Sequence, residues 1–425
     1  MKNRKLLILG GIPHMIDVVK KAQQMGLYTI VCDYSPTSPA KSIADKAYDV
    51  STTDIDQLED IAKKENIDGV FAGFEDLNTW NALKLCKRIG KKFYATEEQL
   101  QITSNKYLFK QKCRDIGVPV VPEYYLNSIE DIENLSQSDF PLIVKPVDSY
   151  GSRGISVVMN VEELESAYEK AKNTSRTGSL IVEKFFSGYG LEFYYTVING
   201  IPYLSAITDR YIINQGEGVP PLPTATIFPS KHFKFAYEKY DKKIKCLIQS
   251  MKIENGVLLF QSVKDEDNIY IYEMAYRLTG EKHYQIIKRE TGVNLLEFMI
   301  RLSLNEDVSN WKLNFYDESC LPKPACNLAI LLKKGTIRQI TGLEPILKDN
   351  RVIDYVQTLY EGDTISQIGN YGQIFIRLNM ITETTEEMIK LLKQIEEHVQ
   401  VYSESGEDLI ISHFISDEKN NSIYL

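Results

Sequence analysis

The chain has 425 residues, of which 43% are hydrophobic and 25% charged, with a net charge of −9. That length supports roughly two to three domains with substantial cores, and the acidic balance argues against a nucleic-acid partner held by bulk electrostatics. No apolar run reaches transmembrane length and the start lacks a signal-peptide core, so no membrane partner is expected and the cytoplasm is the default compartment. The six cysteines, at 32, 86, 113, 246, 320 and 326, form no C-x-x-C pair, which speaks against a zinc site or a disulfide framework.

The first hundred residues alternate strand and helix. Leu6 to Leu9 reads as an apolar strand ending at Gly10-Gly11, and Met15, Val18, Val19 and Ala22 mark a helix face. Tyr28 to Cys32 is a second strand with Asp33 at its end. Helix 54–64, strand 69–72, helix 78–88 and a short strand at Phe93-Tyr94 continue the rhythm, which implies a parallel sheet. Gly10-Gly11 and Asp33 suggest a dinucleotide site, but Ile12-Pro13-His14 follows the glycine pair and the G-x-G-x-x-G fingerprint is absent. A Rossmann-like domain without that cofactor is the better reading.

From 105 to about 305 the pattern is antiparallel α+β. Helix 105–116, capped by Thr103 or Ser104, ends at Gly117 with Pro119 beyond it. Helices at 161–173 and 231–251 are interleaved with paired strands. Residues 191–198 and 202–208 flank Asn199-Gly200, a type I′ hairpin signal. Residues 257–263 and 269–275 pair across the acidic turn at 265–267. The last part, about 310–425, holds strands near 326–333, 336–342 and 373–379 and an amphipathic helix at about 383–397.

Residues 142–154 carry the strongest chemical signal. An apolar strand bears Lys145 at its end. A loop of small residues follows, with Ser149, Tyr150, Gly151, Ser152, Arg153 and Gly154, and then a second strand from Ile155 to Val158. Glycines at 151 and 154 let backbone N–H groups approach phosphate oxygens. No Walker motif occurs anywhere in the chain. Lys106 lies in the first turn of its helix, where the dipole is unfavourable for a cation and a nearby anion would offset the cost. Downstream, Glu183-Lys184-Phe185-Phe186 ends a strand in an aromatic pair suited to an adenine ring, and Glu192 opens the next strand within reach of ribose hydroxyls. Gln261 and Glu273 fall on strands expected to pair, an oxygen-donor set that suits Mg²⁺. Arg277 offers a fork to a phosphoryl group.

The ordered set Lys106, Lys145, glycine loop, Val182-Glu183-Lys184, Glu192 and Glu273-x-x-x-Arg277 resembles the ATP-grasp ligases, and the match extends over most of the chain. The resemblance implies an α/β and α+β protein in three parts. These are a Rossmann-like N-terminal domain over 1–104, an ATP-grasp domain over 105–308 with a lid at about 120–186, and a small α+β domain over 309–425. It implies ATP with Mg²⁺, or Mn²⁺ in its place. Lys106 and Lys145 would hold the α- and β-phosphates, and Ser149–Gly154 would close over the β- and γ-phosphates. Glu183 with the backbone of Lys184 and Phe186 would read adenine, and Glu192 the ribose. Gln261 and Glu273 would hold the metal, while Arg277, with Lys145, would serve the transferred phosphoryl group. The implied activity is that of a carboxylate–amine ligase, working through an acyl phosphate on small-molecule substrates, with a homodimer as the commonest assembly.

Gln261 replaces the acidic residue many relatives carry, and an amide adds no charge. On that ground Gln261→Glu is expected to preserve or increase Mg²⁺-dependent activity. The same feature keeps open an ATP-binding protein with weakened or lost catalysis, and Gly10-Gly11 keeps open, remotely, an NAD-dependent dehydrogenase. The candidates for substrate contact are Arg210, His283 and Tyr284.

Overall fold

The computed structural model describes residues 4–124, 135–149, 154–186, 189–213, 215, 219–313, 321–411 and 414. Strands β1 (Lys5–Leu9), β2 (Tyr28–Asp33), β3 (Lys46–Asp49) and β4 (Gly69–Phe71) form a parallel sheet in the order β3-β2-β1-β4. Helices α1 (Met15–Gln24), α2 (Ile55–Glu65) and α3 (Asp76–Arg88) supply the crossovers that parallel strands require. The predicted face of α1, with Met15, Val18, Val19 and Ala22, is buried. Phe93 and Tyr94 do not form a strand. Tyr94 instead meets Tyr276 edge-on at 5.1 Å, and each hydroxyl donates to the other residue's carbonyl. Packing of two large rings there takes precedence over β propensity.

Residues 97–104, which the sequence reading left unassigned, form α4 (Glu97–Ser104), opened by a capping box between Thr96 and Gln99. Consequently α5 (Lys106–Ile116) is capped by Asn105, whose side chain accepts from the Leu108 N–H, and not by Thr103 or Ser104. It ends at Gly117 with φ of 76°.

The next unit is a small antiparallel sheet of β5 (Glu123–Tyr124), β6 (Leu142–Pro146), β7 (Ser156–Val158) and, after α6 (Val161–Thr174), β8 (Leu180–Lys184). Their order is β5-β8-β6-β7. Leu142, Val144, Val158 and Val182 bury one face against Leu164, Ala167 and Ala171 of α6. Strand alternation then turns Ile143, Lys145 and Glu183 to the other face.

The remaining elements are β9 (Tyr189–Ile198), β10 (Ile201–Ile213), β11 (Leu222–Phe228), α7 (Phe233–Ala236), α8 (Lys242–Ser250), β12 (Gly256–Lys264), β13 (Ile269–Ala275), α9 (His283–Thr291), α10 (Leu295–Ser303) and β14 (Ala325–Leu331). They continue through β15 (Gly335–Thr341), α11 (Leu343–Leu347), β16 (Val352–Gln357), β17 (Thr364–Ile365), β18 (Ile374–Ile381), α12 (Thr385–His398) and β19 (Gln400–Ser403). The single helix expected at 231–251 is interrupted by a wider π turn at Tyr237–Asp241. Asn199 and Gly200 both have positive φ, 50° and 77°, as a type I′ hairpin requires.

One large sheet organises this part, in the order β13-β12-β9-β10-β11-β14-β18-β16. It runs without a break across residue 309, because β11 pairs with β14 from Phe228↔Ala325 to Ala225↔Leu328. One core ties α1 and β1 to α9 and α10 through Met15, Val18, Ile286 and Met299. None of the described helices is long and apolar enough to cross a membrane.

Candidate active site

A cleft of about 1050 Å³ opens between the small lid sheet and the large sheet. It is lined by Lys106, Lys145, Ser149, Glu183, Lys184, Phe185, Phe186, Gln261, Glu273, Arg277 and Arg210, so most of the residues singled out in the sequence converge on one space. Tyr150, Gly151, Ser152 and Arg153, the tip of the glycine loop, lie outside the described residues. Gly154, at its end, has φ of 72°, and a Cβ there would stand 2.7 Å from the Thr174 Cβ.

Lys106 is the first residue of α5, and its Nζ donates to the Ser149 carbonyl at 3.3 Å and lies 4.0 Å from Glu273 Oε2. Lys145 reaches in from the lid, with its Nζ 4.8 Å from the centre of the Tyr272 ring. Glu183 does not have its carboxylate free for an adenine amino group. It is 1% exposed and accepts from Lys145 at 2.7 Å and from Lys110. Burial opposes its charge, but the two ammonium groups outweigh that and hold its carboxyl below the usual range. Lys110, which the sequence reading missed, is fully buried and also lies 3.2 Å from Glu123. Lys184, Phe185 and Phe186 line the cleft beside Glu183, with the Lys184 backbone N–H donating to the Pro122 carbonyl and the Phe186 ring stacked 5.5 Å from Tyr270.

Gln261 and Glu273, the pair expected from sequence to hold a metal, are neighbours in strand register. Gln261 on β12 pairs with Glu273 on β13 and, on its other side, with Glu192 on β9. A carboxylate and an amide oxygen on paired positions facing a cleft, with a lysine close by for phosphate, is a donor set that fits Mg²⁺, which keeps water and phosphate oxygens among its ligands. Glu192 shares the sheet face of Gln261 and Gly190 but is covered there, so its carboxylate is not free to bind ribose. It is 0% exposed, and its carboxylate accepts from Gln261 Nε2 at 2.8 Å and from the Tyr194 hydroxyl at 2.6 Å, with Arg210 Nε at 3.2 Å. Burial and the charge of Glu281 push it up to about 7. Gly190, one strand repeat earlier, lines the cleft in its place.

Arg277 holds Asp76 with two bonds, Nε at 2.7 Å and Nη2 at 2.8 Å, so the first turn of α3 fixes the fork at the cleft. Beyond it lie residues that the sequence reading did not select: His14, Glu281 and Arg377. Arg377 Nη2 stands 3.6 Å from Glu281, and its Nη1 donates to Asn327. Burial lowers the His14 imidazole to about 4, helped by the charges of Lys282 and Arg377. Two of the substrate candidates are misplaced. His283 is 1% exposed and packs edge-on against Tyr194 and Phe228, and Tyr284 is 3% exposed with its hydroxyl donating to Asp17. Neither lines the cleft; both lie at the buried start of α9. Glu192, Glu281 and His283 offer three ligand atoms within 4.8 Å of one another. Arg210 stands 3.2 Å from Glu192 and Arg377 3.6 Å from Glu281, so each of the two carboxylates there has a guanidinium beside it.

The N-terminal glycine pair is not a nucleotide cradle. Asp33 accepts from the Gly11 N–H at 2.7 Å, the Ser35 N–H at 2.8 Å and the Ser38 hydroxyl at 2.7 Å. A Cβ on Gly11 would stand 2.5 Å from the Ser38 Cβ, so the turn is filled by the protein itself.

Residues 6–100 match the family model described as PylC-like, N-terminal domain, and residues 105–199 match that of the carbamoyl-phosphate synthase L chain, ATP binding domain. The chain is 30% identical over 187 residues to a formate-dependent phosphoribosylglycinamide formyltransferase of Methanocaldococcus jannaschii, a stretch that covers 43% of this chain and 48% of that one. The chain spans about half the length of curated relatives of this kind. An L-amino acid ligase structure from Bacillus licheniformis superposes with a TM-score of 0.77 at 18% identity, covering 95% of this chain and 100% of that one. The biotin carboxylase domain of Hydrogenobacter thermophilus 2-oxoglutarate carboxylase, a complex with MgADP, superposes with a TM-score of 0.74 at 19% identity, covering 97% and 92%.

Proposed function

We propose that this chain, an ATP-grasp protein by its fold and by the ATP-binding model matched over residues 105–199, is an ATP-dependent carboxylate–amine ligase. The observation that carries the reading is the convergence of Lys106, Lys145 and the Glu273–Arg277 segment, from three separate stretches of chain, on one cleft. The names of its relatives, a formyltransferase and an L-amino acid ligase among them, support the same chemistry.

In this reading a substrate carboxylate attacks the γ-phosphorus of ATP, and the bond to the bridging oxygen breaks to release ADP. An amine then attacks the resulting acyl phosphate and expels phosphate. Phosphoryl transfer needs positioning and neutralisation of charge more than a strong base. Lys106 and Lys145 bind the phosphates of ATP. Arg277, held in orientation by Asp76, stabilises the transferred group. Mg²⁺, held by Glu273 and Gln261, supplies further charge neutralisation when bound. The lid sheet excludes water, which would hydrolyse the acyl phosphate. The carboxylate and amine bind at the end of the cleft lined by His14, Arg210, Glu281 and Arg377, where fixed charges of both signs suit polar substrates. Mn²⁺ in place of Mg²⁺, a cytoplasmic location and a homodimer complete the reading.

The test is a screen for ADP release over paired carboxylates and amines, with mass spectrometry of the products. Lys145→Ala and Glu273→Ala are each expected to abolish ADP release while far-UV circular dichroism is unchanged. Normal turnover in both variants would sink the assignment. Nucleotide binding without ADP release for any pair would favour the reading of weakened catalysis.

A further inference from the structure

Gln261 is the neutral member of the metal pair, and its surroundings explain why a carboxylate is not used there. Directly across the ladder stands Glu192, fully buried, and the Gln261 amide nitrogen donates to its Oε1 at 2.8 Å. Glu192 is held on every side. The Tyr194 hydroxyl donates to Oε2 at 2.6 Å, and Arg210 Nε lies 3.2 Å from Oε1. Glu281, a second carboxylate, acts on it from nearby. An amide has one donating end and one accepting end. Committing the nitrogen to a buried carboxylate turns the oxygen the other way, toward Tyr272 and the cleft that both line.

We infer that Glu192 is a positioning residue which fixes the Gln261 amide, so that its oxygen faces the metal beside Glu273. The inference rests on the ligase reading above and deepens it. It also reverses the expectation drawn from sequence that Gln261→Glu strengthens the site. A glutamate at 261 sets carboxylate against carboxylate where the amide N–H had donated, with a third carboxylate, Glu281, close by. The new group is then turned away from Glu192, and so out of the position that the amide oxygen takes beside Glu273. Reversing the pair restores the contact: in Glu192→Gln/Gln261→Glu the amide at 192 donates to the carboxylate at 261, which still presents an oxygen to the cleft.

The experiment measures Mn²⁺ binding in the presence of ADP by electron paramagnetic resonance, and ADP binding without metal by calorimetry. Gln261→Glu is expected to weaken Mn²⁺ binding by about tenfold or more, the usual scale for a lost supporting contact. The double variant is expected to return within about threefold of wild type, as coupled neighbours do in a double-mutant cycle. Metal-free ADP affinity stays unchanged in both. If Gln261→Glu folds poorly, recovery of folding and Mn²⁺ binding by the second substitution is the same result in another form. Mn²⁺ binding in Gln261→Glu at or above the wild-type level overturns the inference, and so does a double variant as weak as the single one. A wild-type protein that binds neither ADP nor Mn²⁺ overturns the ligase reading as well.

Discussion

Glu183→Gln tests whether one buried carboxylate sets the state of Lys110. Glu183 is 1% exposed and accepts from Lys145 at 2.7 Å and from Lys110. Burial, only partly offset by Glu183, lowers the Lys110 ammonium from 10.5 to about 8. At about 1.4 kcal/mol per pH unit, charged Lys110 therefore costs the fold about 3 kcal/mol relative to the unfolded chain. Replacing the carboxylate by an amide removes the attraction and lowers Lys110 further. Once its proton leaves near pH 7, the added cost at this group stops growing, at about 1 kcal/mol. The sign of the pH dependence follows. Between the folded pKa and 10.5 the unfolded chain binds the extra proton, so stability rises with pH across that window. In the wild type this rise begins near pH 8, and in Glu183→Gln it begins at or below about pH 7. Urea midpoints from about pH 6 to 10 measure both curves. Coincident curves would refute the reasoning, as would a variant whose stability falls with pH in that interval.

Lys282 Nζ bridges Asp17 at 2.7 Å and Asp354 at 2.6 Å and is 3% exposed. Lys282→Met leaves two carboxylates facing each other and is expected to cost about 2–3 kcal/mol at neutral pH. Burial already raises Asp354, so acidification protonates it in the folded variant before the unfolded one, and the deficit shrinks toward about pH 5. Thermal unfolding at the two pH values checks this, and a deficit that grows on acidification contradicts it. A Cβ at Gly190 would stand 1.7 Å from the Ser262 carbonyl oxygen, so Gly190→Ala is expected to pry β9 from β12 at a cost of about 3 kcal/mol or more. An unchanged urea midpoint would contradict that. Arg277→Lys keeps the charge but loses the fork to Asp76, and is expected to lower kcat by about 100-fold with ADP affinity retained. A fall in ADP affinity alone would move Arg277 out of the chemistry.

What could be seen in the sequence was local. The helix face of α1, the Asn199-Gly200 turn and the string around Lys145 each carry their signal within a few residues. The order of the cleft residues along the chain was legible for the same reason. Asp76 reaches Arg277 across 201 positions, and Lys110 reaches Glu183 across 73, so no window of sequence contains either pair. Glu192, His283 and Tyr284 were misread because a polar residue near a motif gives no sign of whether it is open to the cleft or covered by its neighbours. Burial decides that, and burial depends on β10, β12 and α9 arriving from elsewhere. The Phe93-Tyr94 pair looked like a strand because aromatic residues favour strands, while its role is to brace Tyr276.

The unbroken large sheet has a practical consequence. The ladder from β11 to β14 means that the C-terminal third is not a detachable module. Expression of the first 308 residues alone would open the backbone donors and acceptors of 225–228 to solvent, a bare edge able to pair with any passing strand, so such a fragment is headed for aggregates. It also sets how recognition is connected to chemistry. Arg377 on β18 and Glu273 on β13 belong to the same hydrogen-bonded sheet, so under the proposed function the spacing between substrate and metal would be fixed like marks on a ruler. A change of substrate preference would then be sought in side chains along that ruler and not in the reach of a hinge.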